Sequence, residues 1–139
     1  MLDLSLSDFP QQTYDKLRYS DTDRQGHVNN AVFATFLETG RVELLYLDEM
    51  KAVLGEPNFV IASLQLAFRR EITWPGTVEI GTGILRIGNS SITLHQQLFQ
   101  HEQCVSAAES IIVQVNAESG KSMALSEEAK QVLTTWNVS

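Results

Sequence analysis

The stretch Asp21-Thr22-Asp23-Arg24-Gln25-Gly26-His27-Val28-Asn29-Asn30 brings carboxylates, an imidazole and two amides together in one short loop. Beyond it, from Ala31, apolar residues recur at helical spacing, so Asn29 and Asn30 stand at a helix start. The first N–H groups of a helix have no internal partner, and with the helix dipole they form a site for developing negative charge, such as the oxygen of a carbonyl under attack. A carboxylate seven residues before Asn30, on a loop bent at Gly26, can face the same carbonyl carbon from the other side. That carboxylate is Asp23. It can act as a nucleophile, giving a mixed anhydride that water cleaves, or as a general base that takes a proton from attacking water, and the sequence leaves both routes open.

Ordinary structural roles compete for each of these residues. Aspartate in a polar loop commonly makes an Asx-turn or caps the next helix. His27 can either hold the turn through backbone hydrogen bonds or orient water and substrate. Asn29 and Asn30 suit a helix start by preference alone. His27, His95 and His101 are too dispersed to suggest zinc, and neither metal nor cofactor is expected.

The elements that must position this loop follow from hydrophobic periodicity. Residues 13–19 suggest a short strand with Leu17 and Tyr19 on one side. Phe33, Phe36, Leu37, Gly40, Leu44 and Leu47 then mark one long helix over residues 31–55, stopped by Gly55. Val32, Val42, Leu45 and Met50 widen its apolar face, so it is expected to be covered on more than one side. Gly40 would allow close approach to a sheet. Glu38 and Arg41, at i and i+3, would form an ion pair.

Past Pro57 the period changes to two. Leu64, Leu66 and Phe68 alternate with polar or small residues, then come strands over residues 77–87, 92–99 and 105–115, with turns at Trp74-Pro75-Gly76, Gly88-Asn89-Ser90 and Glu118-Ser119-Gly120-Lys121. The strands are expected to be consecutive antiparallel neighbours. Ser126 should N-cap a short terminal helix whose first turn carries Glu127 and Glu128. One early helix followed by strands on short turns buries its apolar faces by curling an antiparallel sheet around the helix, an α+β hotdog arrangement. Edge strands in such a sheet favour pairing with a second copy, so a homodimer or homotetramer is expected.

The sequence resembles the 4-hydroxybenzoyl-CoA thioesterase-like family of hotdog acyl-CoA thioesterases. Tyr19-Ser20-Asp21-Thr22-Asp23 and Gly26-His27-Val28-Asn29-Asn30 carry the likeness most strongly, continuing through Phe33, Glu38 and Arg41. Looser likeness lies in Trp74-Pro75-Gly76, in Ile87-Gly88-Asn89-Ser90-Ser91 and in Ser119-Gly120-Lys121. The resemblance implies thioester hydrolysis with Asp23 as catalytic residue, Asp21 as a loop-stabilising one, and a backbone N–H near Asn30 as oxyanion donor, with Asn29 and Ala31 one residue either side. Phe33 stands where many relatives carry Tyr. A similar His-Val-Asn-Asn segment occurs in acyl-carrier-protein thioesterases, so the acyl carrier is coenzyme A or acyl carrier protein. CoA phosphates and pantetheine need donors near the site, for which Arg69, Arg70, Arg86, Ser90, Ser91 and Lys121 are candidates, while Asn29 and Phe33 are further substrate-binding candidates. Two other functions compete. A hydratase or dehydratase would set a His with a carboxylate to proton transfer, and a silent acyl-CoA-binding protein would need only the fold.

Bulk properties narrow the remainder. At 139 residues the chain suits one domain spanning residues 1–139, and 43% hydrophobic with 19% charged residues suits a folded core. A net charge of -7 argues against nucleic acid as a partner. No apolar run reaches membrane-spanning length, and the first ten residues lack the parts of a signal peptide, so a cytoplasmic protein without stable membrane insertion is expected. Cys104, the lone cysteine, is read as a small buried thiol.

Overall fold

A computed structural model describes residues 1–138. Strands β1 (Gln11–Lys16), β2 (Phe59–Phe68), β3 (Thr77–Ile87), β4 (Ser91–Gln100) and β5 (Gln103–Gln114) form one antiparallel sheet in the order β1-β3-β4-β5-β2. Helix α1 (Asn30–Leu45) lies on its inner face, and α2 (Asp48–Leu54) and α3 (Glu127–Thr134) pack together at the far end. This is the expected hotdog arrangement.

Alternation along β3 explains how the sheet is covered on both sides. Val78, Ile80 and Ile84 point into the clusters built by Phe33, Phe36, Leu37 and Leu44 of α1. Gly81 and Gly83 face the other way, where Phe9 and Val138 sit against their backbone. Full burial of a side chain such as Phe36 or Leu37 stabilises the fold by roughly 1.5–3 kcal/mol. α1 approaches the sheet closely at Gly40, where a Cβ would lie 2.6 Å from Thr82 Oγ1 and 2.8 Å from Gln96 Nε2.

Several expectations need correction. The long helix is two. Leu47 adopts an extended conformation (φ -59, ψ 146), and Asp48 and Glu49 then open α2, whose N-terminal dipole favours their charge. The break carries Met50 and Leu54 into the cluster that contains Leu133 of α3, a gain in burial that a straight helix would forgo. Val42 remains exposed on the outer side of α1. β1 stops at Lys16, and although Leu17 is buried, a 3-10 turn over Tyr19–Asp21 swings Tyr19 out to 74% exposure.

β2 pairs with β5 and not with its chain neighbour β3, which makes it an edge strand. Val60, Ile61, Leu64 and Phe68 therefore remain exposed. Arg41 makes no ion pair with Glu38 among the described residues; it turns inward and donates to Gln96 Oε1 at 3.4 Å. Burial pushes its guanidinium below the usual range, and the Glu38 charge partly offsets this. Cys104 is half-buried. Among the described residues no helix is long and apolar enough to cross a membrane.

Candidate functional site

The loop before α1 folds around one carboxylate oxygen. Asp23 Oδ1 accepts the N–H groups of Gln25 (2.8 Å) and His27 (3.2 Å), while the Asp23 N–H donates to the His27 carbonyl at 2.7 Å. Gly26 supplies the left-handed φ of 81° that this tight loop requires. Asp23 thus makes an Asx-turn, the ordinary loop role, through Oδ1 alone. Its Oδ2 has no hydrogen-bond partner among the described residues, and the side chain is exposed.

Asp21 is different in kind. It is 4% exposed; Oδ2 accepts the Arg18 N–H at 2.9 Å, Oδ1 meets Arg18 Nη2 at 3.2 Å, and its carbonyl accepts the Asn29 N–H at 2.8 Å. Every polar atom there serves the loop's shape.

The helix start resolves which N–H is open. Asn29 caps α1, its Oδ1 accepting from Ala31 at 2.9 Å, and its carbonyl accepts from Val32 at 2.9 Å. With the Asn29 N–H bound to Asp21 and those of Ala31 and Val32 bound to Asn29, the Asn30 N–H is the one donor of this group without an acceptor among the described residues.

A second segment closes the site from the side. Val28 N–H donates to Ile72 O at 2.8 Å, His27 pairs with Thr73 as an isolated bridge, and Thr73 is clamped by Gln100 through bonds of 3.0 and 2.8 Å. His27 Nε2 lies 2.9 Å from Glu71 Oε2. Between loop, helix start and this segment lies a cavity of about 350 Å³. Asp23, His27, Asn30 and Phe33 line it on one side, with Phe68, Arg69, Arg70 and Glu71 on the other. Phe33 and Phe68 meet edge to face at 5.0 Å, making its apolar wall.

Of the residues singled out in the sequence, Asp23, His27, Asn30, Phe33, Arg69 and Arg70 therefore meet in one cavity. Asn29 stands beside it as a cap. Arg69 Nη1 is tied to Asp3 Oδ1 at 2.7 Å, which holds its guanidinium above the usual range, whereas Arg70 makes no ion pair among the described residues. Arg86, Ser90 and Ser91 are not brought to the cavity. They lie at or just beyond the far end of β3, whose 11 residues make ten steps of about 3.3 Å and so put its two ends up to roughly 33 Å apart. Arg86 there meets Glu109 at 3.4 Å, and the Ser90 carbonyl accepts from Gln114. Glu71 is the residue that periodicity missed. It sits in the polar run Arg69-Arg70-Glu71, and only the His27–Thr73 pairing reveals its place.

A larger cavity of about 480 Å³ lies on the outer sheet face beneath the N-terminal segment and contains none of the loop residues. Among the described residues no group of three or more His, Cys, Asp or Glu gathers to hold a metal.

Comparison with known proteins agrees with this architecture. The family model of the Thioesterase-like superfamily matches residues 17–133. The chain is 30% identical over 119 residues to the uncharacterized protein YsmA of Bacillus subtilis (strain 168), covering 84% of this chain and 80% of that one. Among solved structures it is similar to a predicted thioesterase from Bacillus stearothermophilus, with 25% identity, TM-score 0.83 and coverage of 91% of this chain and 96% of the other. It is also similar to a thioesterase complexed with coenzyme A and Zn from Thermus thermophilus, at 22% identity, TM-score 0.82 and coverage of 93% and 95%.

Proposed function

Because this chain belongs to the Thioesterase-like superfamily, we propose that it hydrolyses acyl-CoA thioesters to a free carboxylic acid and CoA. One observation carries the proposal: a carboxylate with one uncommitted oxygen shares a cavity with the unbonded N–H of a helix start. In this reading Asp23 Oδ2 takes a proton from water as the water oxygen adds to the thioester carbon. The Asn30 N–H, aided by the α1 dipole, receives the charge that develops on the carbonyl oxygen. Collapse of the tetrahedral intermediate breaks the C–S bond, and the proton held by Asp23 passes to the leaving thiolate. Thiolate leaves readily, so no stronger acid is needed.

Phe33 and Phe68 seat the acyl group, and Arg70, which makes no ion pair among the described residues, supplies a donor to the carrier's phosphates. The fold shared with the coenzyme A-bound Thermus structure supports CoA over acyl carrier protein as that carrier.

The active unit in this reading is a homodimer or larger. β2 is an edge strand of ten residues with neither charge nor proline and with four exposed apolar side chains, the kind of edge that pairs with another copy. Any contact between CoA and Arg86, Ser90 or Ser91 has to come from that second copy, given their distance from Asp23 in one chain.

The test is free-thiol release from a panel of acyl-CoAs, followed with a thiol reagent alongside sedimentation of the protein. Turnover by an oligomer is the expected result. Binding without release points to a silent acyl-CoA-binding protein, and hydration of an enoyl-CoA with its thioester intact points to a hydratase; either outcome overturns the proposal.

A further inference from the structure

An imidazole has two nitrogens to satisfy, and His27 satisfies one. Nε2 lies 2.9 Å from Glu71 Oε2, while Nδ1 is buried with no hydrogen-bond partner among the described residues. The ring therefore has a single polar anchor, and Glu71 provides it. The backbone of the same residue holds the carboxylate of Asp23, with its N–H donating to Oδ1 at 3.2 Å and its carbonyl accepting the Asp23 N–H at 2.7 Å. Glu71 thus anchors the ring of the residue whose backbone holds Asp23.

From this linkage we infer that Glu71 is a positioning residue for the reaction, acting through His27 to fix the direction of the Asp23 carboxylate; the inference rests on Asp23 being the base. The neighbouring cations do not compete for Glu71. Arg69 is engaged by Asp3, and Arg70 makes no ion pair among the described residues. Glu71 is 66% exposed, and an exposed pair of this kind adds little to stability. Its effect is geometric instead, since misplacing a reacting group by about 1 Å costs on the order of 100-fold in rate.

The pairing also selects a tautomer. With neutral His27, a proton on Nε2 donates to Glu71 and leaves Nδ1 as a bare acceptor, which fits a buried nitrogen that has no acceptor of its own nearby. Glutamine at position 71 keeps an oxygen that can accept from Nε2, whereas alanine does not.

Two readouts test this on the full chain, on the alkaline side of the ordinary imidazole range. Two-bond ¹H–¹⁵N spectra, with His27 assigned by its loss in His27→Gln, should show one fixed Nε2–H tautomer in the wild type and in Glu71→Gln. In Glu71→Ala the two nitrogen shifts should move toward each other. Thioester turnover should show kcat in Glu71→Ala down on the order of tenfold with KM within about twofold, and in Glu71→Gln within about threefold of wild type. Adding Glu71→Ala to His27→Gln should change nothing further, because the anchor acts through the ring. Where the wild type hydrolyses thioesters, unchanged His27 shifts or an unchanged kcat in Glu71→Ala overturns the inference alone. A KM effect shared equally by Glu71→Ala and Glu71→Gln also overturns it, since that is the mark of a rim charge. Absence of turnover in the wild type removes the reading of Asp23 and this inference with it, whatever the spectra show.

Discussion

Two polar groups in this molecule invite comparison: the network around Gln96, between α1 and the sheet, and the loop that runs from Asp23 to Asn30. In the first, Gln96 Nε2 donates to the Leu37 carbonyl and to Thr82 Oγ1, and Oε1 accepts from Arg41, so the amide's donors and acceptor are used inside the protein. In the second, Asp23 Oδ2, the Asn30 N–H and His27 Nδ1 are all left without a partner among the described residues. The Gln96 amide is satisfied in the interior, where an unmade bond costs roughly 1–3 kcal/mol, although His95 Nδ1, Ser106 Oγ and Ser110 Oγ are buried with no partner among the described residues. Asp23 and Asn30 line a cavity, where a ligand or water can complete the carboxylate oxygen and the N–H, while His27 Nδ1 stays buried. Composition alone does not separate the two groups; satisfaction does.

The contrast can be broken most forcefully at the helix start. Asn30→Pro deletes the open N–H together with the Asn30 side chain, for which Asn30→Ala is the control; the helix start should persist, since proline is favoured at the first helical position and Asn29 already has the extended backbone (φ -59, ψ 137) that a following proline demands. Thioester turnover should fall roughly 10²–10³-fold, with unfolding free energy changed by less than about 0.5 kcal/mol. A normal rate would show that the N–H does not serve the reaction. The interior network should respond in the opposite way. Gly40→Ala drives a methyl into Thr82 and Gln96 and should cost about 1–3 kcal/mol in urea unfolding, with kcat per folded molecule retained. An unchanged midpoint would mean that α1 can withdraw from the sheet without loss.

The smallest effect concerns His95, on the sheet face opposite α1, buried beside Gln97 and stacked on Phe9. Burial pushes its pKa down; the Gln97 hydrogen bond and the Glu109 charge oppose that shift, while the N-terminal amino group and Arg69 add to it. The unfolded chain therefore takes up a proton at a pH where the folded chain does not. This contribution to stability is complete above the unfolded imidazole range, near about 6.5, and is lost progressively as pH falls below it. Melting temperature should drop between about pH 7.5 and about pH 5.5, and His95→Gln should flatten that drop. An equal drop in the variant would remove His95 from the account.

Much of this is legible in the sequence alone. The spacing from Asp23 to Asn30, the switch of period after Pro57 and the Ser126 cap all describe local geometry, and local geometry is what a sequence encodes directly. The break at Leu47 was hidden because apolar residues continue through it, and only packing against α3 favours the bend. The β2–β5 pairing and the meeting of Glu71 with His27 were illegible for the same reason: both join segments distant in the chain, and no periodicity reports on partners. Arg86, Ser90 and Ser91 show the converse case within one chain. Residue chemistry suited to phosphate made them candidates, while the length of a strand separates them from the cavity.

The measurement that bears most directly on the central claim is turnover by Asp23→Asn with unfolding followed in parallel. Asparagine keeps an oxygen to accept the Gln25 and His27 N–H groups, so the loop should persist and stability should shift by less than about 0.5 kcal/mol. Loss of the base should lower kcat roughly 10²–10⁴-fold. A folded Asp23→Asn protein that hydrolyses acyl-CoA at the wild-type rate would contradict the account.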